Sequence, residues 1–473
     1  EMPWKTNDPD LMKPVWHQTI EAAEKFNEPG KFTAFIGYEW TSLLKGNNLH
    51  RVVIYKDGGS SARQTLPFTL EDSADPERLW DAMQAYEEKT GGDLLAIPHN
   101  GNLANGIMFD VETLSGIPID KDYACRRQQW EPLYESTQIK GDGEAHPFLS
   151  PDDEFADYET WDLGNLDMSA SKTDDMLAGE YARSGLKRGL EFEQQLGVNP
   201  YKFGQIGSTD SHTSLPAVEE NNFFGKHSGV EPSPERASHV VIGGENGKIM
   251  GHQMASSGYA AVWAKENTRQ SIFDAMARKE TYATTGSRMA VRFFGGWDFS
   301  EADANSRQPA EAGYSRGVPM GGNLSQAPDG KSPTFLVAAM KDAMSGNLDR
   351  IQIIKGWVGK DGKAQERVYD VAVSDDRKID KNGRCKTPVG NTVDVANATW
   401  TNTIGDPELI SVWTDPDFDA KQNAFYYVRV LEIPTPRWTA YEAKRFNIKM
   451  PKDTEMVTQE RAYTSPIWYT PKS

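Results

Sequence analysis

The spacing of apolar residues changes part-way along this chain, and that change restricts the possible folds more than any other feature. Up to residue 299, short apolar runs at 32–38, 51–55, 94–98 and 202–207 alternate with stretches of helical spacing at 76–90 and 174–196. A further helix is expected where Asn267-Thr268 precedes Ile272, Phe273 and Met276. Runs of this kind suit buried parallel strands, and strand–helix alternation predicts an α/β layer or barrel. Residues 300–333 are rich in Gly, Pro, Ser and Asn and read as a linker or loop. Beyond them the period falls to two, at 334–338, 350–358 and 424–430, which suits a β-sandwich-like tail. The expected organisation is a barrel portion over 1–299, a linker over 300–333 and a β-rich domain over 334–473.

Charge and composition narrow the function classes. The net charge of −18 repels a phosphate backbone, and no run of Lys and Arg offsets it, so a general nucleic-acid binder is disfavoured. No stretch approaches the ~20 apolar residues of a spanning helix, and Glu1-Met2-Pro3-Trp4-Lys5 does not read as the start of a secretory signal. Cys125 and Cys385 are too few for a disulfide framework or a cysteine-rich zinc site.

Of eight histidines, three stand at the ends of apolar runs beside other ligand-type side chains. His50 opens the run at 51–55, His99 follows Ala96-Ile97-Pro98, and His212 closes Thr209-Asp210-Ser211-His212. Glu39 ends a fourth run, Ile36-Gly37-Tyr38-Glu39. In an α/β barrel the carboxyl ends of strands converge on one face. Three imidazoles with the carboxylates of Glu39 and Asp210 would there suit Zn²⁺ or Mn²⁺, because imidazole binds without adding charge and a carboxylate can bridge two ions.

Gly37-Tyr38-Glu39, Pro98-His99-Asn100 and Thr209-Asp210-Ser211-His212 resemble the later ligand motifs of the PHP (polymerase and histidinol phosphatase) metallohydrolases. Segments 32–42, 96–106, 138–141, 207–213, 262–269 and 293–299 resemble, more specifically, the DUF3604 proteins. The resemblance implies a PHP-like distorted (β/α) barrel followed by the β-sandwich-like domain, and two or three divalent ions of zinc, manganese or iron. It implies Glu39 as bridging carboxylate, His50 and His99 as ligands, and Asp210 with His212 as a closing pair. The family's opening Gly-Asp-x-His-x-His-Thr motif does not occur here, so the early barrel strands are expected from an N-terminal fragment of the same precursor acting as partner. A periplasmic or secreted location goes with the resemblance.

The expected activity is metal-dependent hydrolysis of a small anionic substrate, a phosphate monoester or diester, by water activated between ions. Asp210 and His146 are the candidate catalytic groups, His146 as general acid, against a structural role for that histidine. Lys140, Arg126 and Arg127 are candidate phosphate donors, against solvated surface cations. Asn100 and Asn102 read as turn formers, and His17, His227, His239 and His252 as structural or surface residues. The alternatives are a metal-dependent amide or ester hydrolase, and a non-catalytic binding protein with a degenerate site.

Overall fold

In the computed structural model, which describes residues 8–227 and 229–472, the apolar runs form strands whose directions depart from expectation. The opening pentapeptide lies outside the described residues. Strands β1 (Ile36–Trp40), β2 (Arg51–Tyr55) and β3 (Leu94–Pro98) make one sheet in the order β1-β2-β3, with both pairings antiparallel. The parallel reading fails at β2 for a simple reason. Only residues 41–50 join it to β1, and they carry a small hairpin, Leu43–Leu44 against Asn47–Asn48. A parallel crossover needs a dozen or more residues, usually with a helix. Parallel pairing appears instead between β4 (Leu133–Gln138) and β5 (Gly204–Gly207).

Alternation within these strands explains why their runs are apolar throughout. Val53, Tyr55, Leu94 and Ala96 face a core filled by Trp16 and Ile20 of the helix Pro9–Phe26 and by Leu79, Trp80, Met83 and Tyr86 of the helix Pro76–Thr90. Leu95 and Ile97 face the other way, with Leu133 and Ile206, onto Phe273 and Met276 of the helix Arg269–Ala277. The wall is therefore buried on both faces. The helical stretch expected at 174–196 is broken into Asp174–Leu177 and Ala182–Leu196. Gly179 lies in the break, where its backbone presses so closely on Gly106 that a Cβ would sit 1.9 Å from the Gly106 carbonyl oxygen.

The second half is antiparallel. One sheet runs Tyr259–Val262, Thr281–Thr284, Arg461–Thr464, Ala424–Glu432, Leu348–Val358, Ala364–Val373, with Ile467–Tyr469 also paired to Ala424–Glu432. The other runs Gly317–Pro319, Ala290–Gly296, Thr334–Met340, Glu408–Thr414. Phe293, Phe335, Val337, Ile351, Ile353, Tyr426 and Val428 fill one core between them. Strands from both sides of the expected boundary at 299 thus share both sheets. Residues 300–333, read as a linker, contain the helices Glu301–Asn305 and Pro309–Arg316 and the paired strand Gly317–Pro319. Among the tryptophans of the second half, Trp438 and Trp468 are buried, and Trp357, Trp400 and Trp413 are partly buried. No helix among the described residues is long and apolar enough to cross a membrane.

Candidate metal centre

The antiparallel insertion of β2 builds the site. Glu39 stands near the end of β1, His99 just past the end of β3, and His50 just before the start of β2. Because β2 runs against its neighbours, its start lies at the same sheet edge as their ends, where Trp40, Arg51 and Pro98 are in register. The rule of carboxyl strand ends covers Glu39 and His99; strand reversal brings in His50. The His99 amide donates to the His50 carbonyl at 3.4 Å. Asn48 Nδ2 donates to the carbonyls of His99, at 2.7 Å, and Asn100, at 3.2 Å, fixing the loop from the other side.

One carboxylate oxygen joins the three residues. Glu39 Oε1 lies 2.9 Å from His50 Nδ1 and 2.9 Å from His99 Nε2, and the two rings meet edge to face with centroids 5.6 Å apart. One ligand atom from each residue falls within 4.8 Å of the others. Both histidines are buried, and Glu39 is about one-third exposed, at 34%. Burial pushes the Glu39 carboxyl up, but the His50 and His99 hydrogen bonds outweigh it and hold the group well below the usual carboxylate range. Burial drives His50 down despite Glu39. Burial also opposes the charge on His99, yet Glu39 and Glu135 carry it above its ordinary value. The outer nitrogens, His50 Nε2 and His99 Nδ1, are buried with no hydrogen-bond partner among the described residues. Two imidazoles and one carboxylate converging in this way fit a divalent ion, as three protein ligands with an open position do in catalytic zinc sites.

Asp210 and His212 reach the same place from the loop after β5. With Glu39, His50, Lys140, Lys226 and His227 they line a cavity of about 310 Å³. Asp210, however, is taken up by two ammonium groups. Lys140 Nζ contacts its Oδ2, and Lys226 Nζ lies 2.5 Å from the same atom. Burial raises the Asp210 carboxyl, but the two lysines prevail and hold it at about 2. Burial and the Lys140 charge push Lys226 down to about 8 in spite of Asp210. The His212 side chain is half exposed, with Nδ1 3.0 Å from the Asp210 carbonyl oxygen and 3.5 Å from Oδ1.

The remaining sequence candidates lie elsewhere. His146 Nε2 faces Asp162 Oδ2 at 3.3 Å, its Nδ1 accepts from the Phe148 amide at 3.1 Å, and it is not among the cavity-lining residues. Arg127 is a buried cation 3.1 Å from Glu131, and Arg126 is bound to Asp81 and the Glu77 carbonyl. Neither is a solvated cation or a free phosphate donor. Asn100 adopts a left-handed turn conformation at φ 50°, and its Oδ1 accepts from Gln138 Nε2.

Three residues of the site escaped the sequence. Lys226 sits in a segment without periodicity, and His227 beside it, read from the sequence as a structural or surface histidine, lines the cavity. Glu135 lies inside β4, fully buried; one of its oxygens accepts from Ser208 and the other has no partner among the described residues. Its strand reads Leu-Tyr-Glu-Ser-Thr-Gln and is buried at every position, so no apolar run marked Glu135 as an interior carboxylate. Burial lifts the Glu135 carboxyl above its usual value although the His99 charge opposes this.

Among known families, the model described as "Protein of unknown function (DUF3604)" matches residues 3–471. No curated protein and no solved structure matches the chain.

Proposed function

We propose, for this chain, which belongs to the DUF3604 family, that Glu39, His50 and His99 hold a divalent metal ion and that the protein hydrolyses a phosphate ester. The observation that carries the reading is the single Glu39 oxygen flanked at 2.9 Å by two buried imidazoles, beside a cavity that also presents Lys140 and Lys226. A divalent ion bound there supplies a Lewis acid for a phosphoryl oxygen and lowers the pKa of water at the site. The chain's own residues do the rest. Lys140 and Lys226 attract and position the anion, which the overall charge of −18 would otherwise repel. Asp210 keeps both ammonium groups pointed at one spot. The wall of β1 to β5 is read as part of a PHP-like barrel, with the resemblance of the ligand motifs as its support.

The two lysines favour an anionic phosphate over the neutral carbonyl of an amide or ester substrate. The test is a panel of phosphate monoesters, phosphate diesters, carboxylic esters and amides, assayed with metal-loaded protein and again after chelation. Phosphoester cleavage that is lost on chelation and restored by metal is expected. Metal-loaded protein that cleaves no phosphoester would sink the reading, and cleavage of esters or amides alone would replace it with the second.

A further inference from the structure

Asp210 and His212 have the sequence of a metal-ligand pair, but the side chain of Asp210 is engaged by two lysines. Lys140 follows β4 and is clamped through its backbone: its amide donates to Gln138 Oε1 at 2.7 Å, and its carbonyl accepts from Asn102 Nδ2 at 3.0 Å. Its side chain is only 8% exposed and ends on Asp210 Oδ2. Lys226 comes from a separate loop. Its Nζ donates to the Asp210 carbonyl at 3.2 Å and lies 3.1 Å from His212 Nδ1, while its own carbonyl accepts from the His212 amide at 2.7 Å. Asp210 itself has a left-handed backbone, φ 49°, which aspartate tolerates better than most residues. Two independent segments thus deliver ammonium groups to one carboxylate on the wall of the cavity that Glu39 and His50 also line.

We infer that Lys140 and Lys226 occupy the second cation position of this site, so that the chain binds one divalent ion, at Glu39, His50 and His99, and meets the substrate phosphate with two fixed ammonium groups. The inference rests on the metal centre proposed above. Charge supports it: two ammonium groups on one carboxylate leave the same net positive charge as one divalent ion on one carboxylate. Geometry supports it as well, because an ion bound by Asp210 must displace two nearly buried cations that have no second carboxylate contacting them among the described residues. An ammonium group is a compact point charge with several donors, suited to phosphate oxygens. The site therefore takes substrates with a terminal or accessible phosphate anion.

The experiment is a calorimetric titration of the full metal-free chain with Zn²⁺, paired with elemental analysis, on the wild type and on Glu39→Gln and Asp210→Asn. One equivalent that Glu39→Gln removes and Asp210→Asn spares is expected. An additional equivalent removed by Asp210→Asn overturns the inference and leaves the metal centre standing. No equivalent removed by Glu39→Gln overturns the metal centre, and this inference with it. The lysines are tested separately by titrating inorganic phosphate into the zinc-loaded protein. Lys226→Met, in a loop and with Lys140 intact, should weaken phosphate about tenfold, as loss of one charge-assisted contact does. Unchanged phosphate affinity in a variant with an unchanged melting profile overturns the assignment.

Discussion

Glu39 spends one oxygen on two imidazoles, so the centre depends on its charge and not merely on its size. Glu39→Gln and His99→Ala should each weaken metal by more than the ~10–100-fold that loss of an outer partner typically costs. Competition against a chromophoric chelator measures this, and unchanged affinity in both would place the ion elsewhere. Behind His50, Arg51 Nε donates to Glu131 Oε1 at 3.0 Å, Trp80 Nε1 donates to the same oxygen at 3.0 Å, and Arg127 Nε lies 3.1 Å from Oε2. All three partners of Glu131 are buried. Glu131→Gln would leave two buried guanidinium groups without a counter-charge and should cost about 3–5 kcal/mol in denaturant unfolding. A loss under ~1 kcal/mol would show that water reaches them.

At the scale of elements, the spacing of β1 and β2 decides whether Glu39 reaches His50. Gly37 opposes Ile54 in the register, and a Cβ there would lie 2.6 Å from the Val53 carbonyl oxygen, closer than real atoms approach. Gly37→Ala should therefore force the strands apart, costing about 1–3 kcal/mol as overpacking does, and should weaken metal binding although no ligand is changed. Thermal melts and the same chelator competition check both halves; a variant with normal stability and normal affinity would mean the pair can flex. The strands themselves were legible from their apolar runs, because burial on both faces leaves a continuous signal. Their directions were not, since direction depends on where each connection ends, and the run at 51–55 reads alike either way. His50 was named from its position at the start of a run, but its meeting with Glu39 follows from that unread reversal.

Across the whole molecule, buried charges tie the α/β wall to the sandwich. Arg183, on the helix Ala182–Leu196, lies 2.6 Å from Glu144, 2.8 Å from Asp153 and 3.1 Å from Glu366, while Arg429, in the central strand of the large sheet, lies 2.6 Å from Asp153 and 3.3 Å from Glu144. Burial opposes the Asp153 charge, but Arg429 and Arg183 hold its carboxyl far below the ordinary value. A folded pKa below the unfolded one contributes stability that is complete above pH ~4 and lost as pH falls through and below that point. Wild-type stability should fall on acidification below pH ~4, and Asp153→Asn should be less stable at neutral pH by about 3–5 kcal/mol with a flatter acid limb. Equal acid limbs in the two proteins would assign the transition to other carboxylates. The shared sheets lead to a further expectation: a chain cut at 299 lacks Arg461–Thr464, one of the two strands beside Thr281–Thr284, and both partners of Ala290–Gly296, and should not melt cooperatively. A sharp calorimetric transition from that fragment would refute it.

Sequence alone determined the local chemistry: which segments are apolar enough to be strands, which stretches carry helical spacing, and that Glu39, His50, His99, Asp210 and His212 are ligand-type residues beside strand ends. These properties are legible because burial and hydrogen-bonding capacity belong to individual residues and their near neighbours. Tertiary structure decided the rest. It reversed β2, brought Lys226 and His227 from an aperiodic loop to the cavity, set two ammonium groups on Asp210, and placed strands from both sides of residue 299 in common sheets. Those outcomes depend on contacts between distant segments, where direction, register and charge pairing are fixed only once the chain has closed on itself.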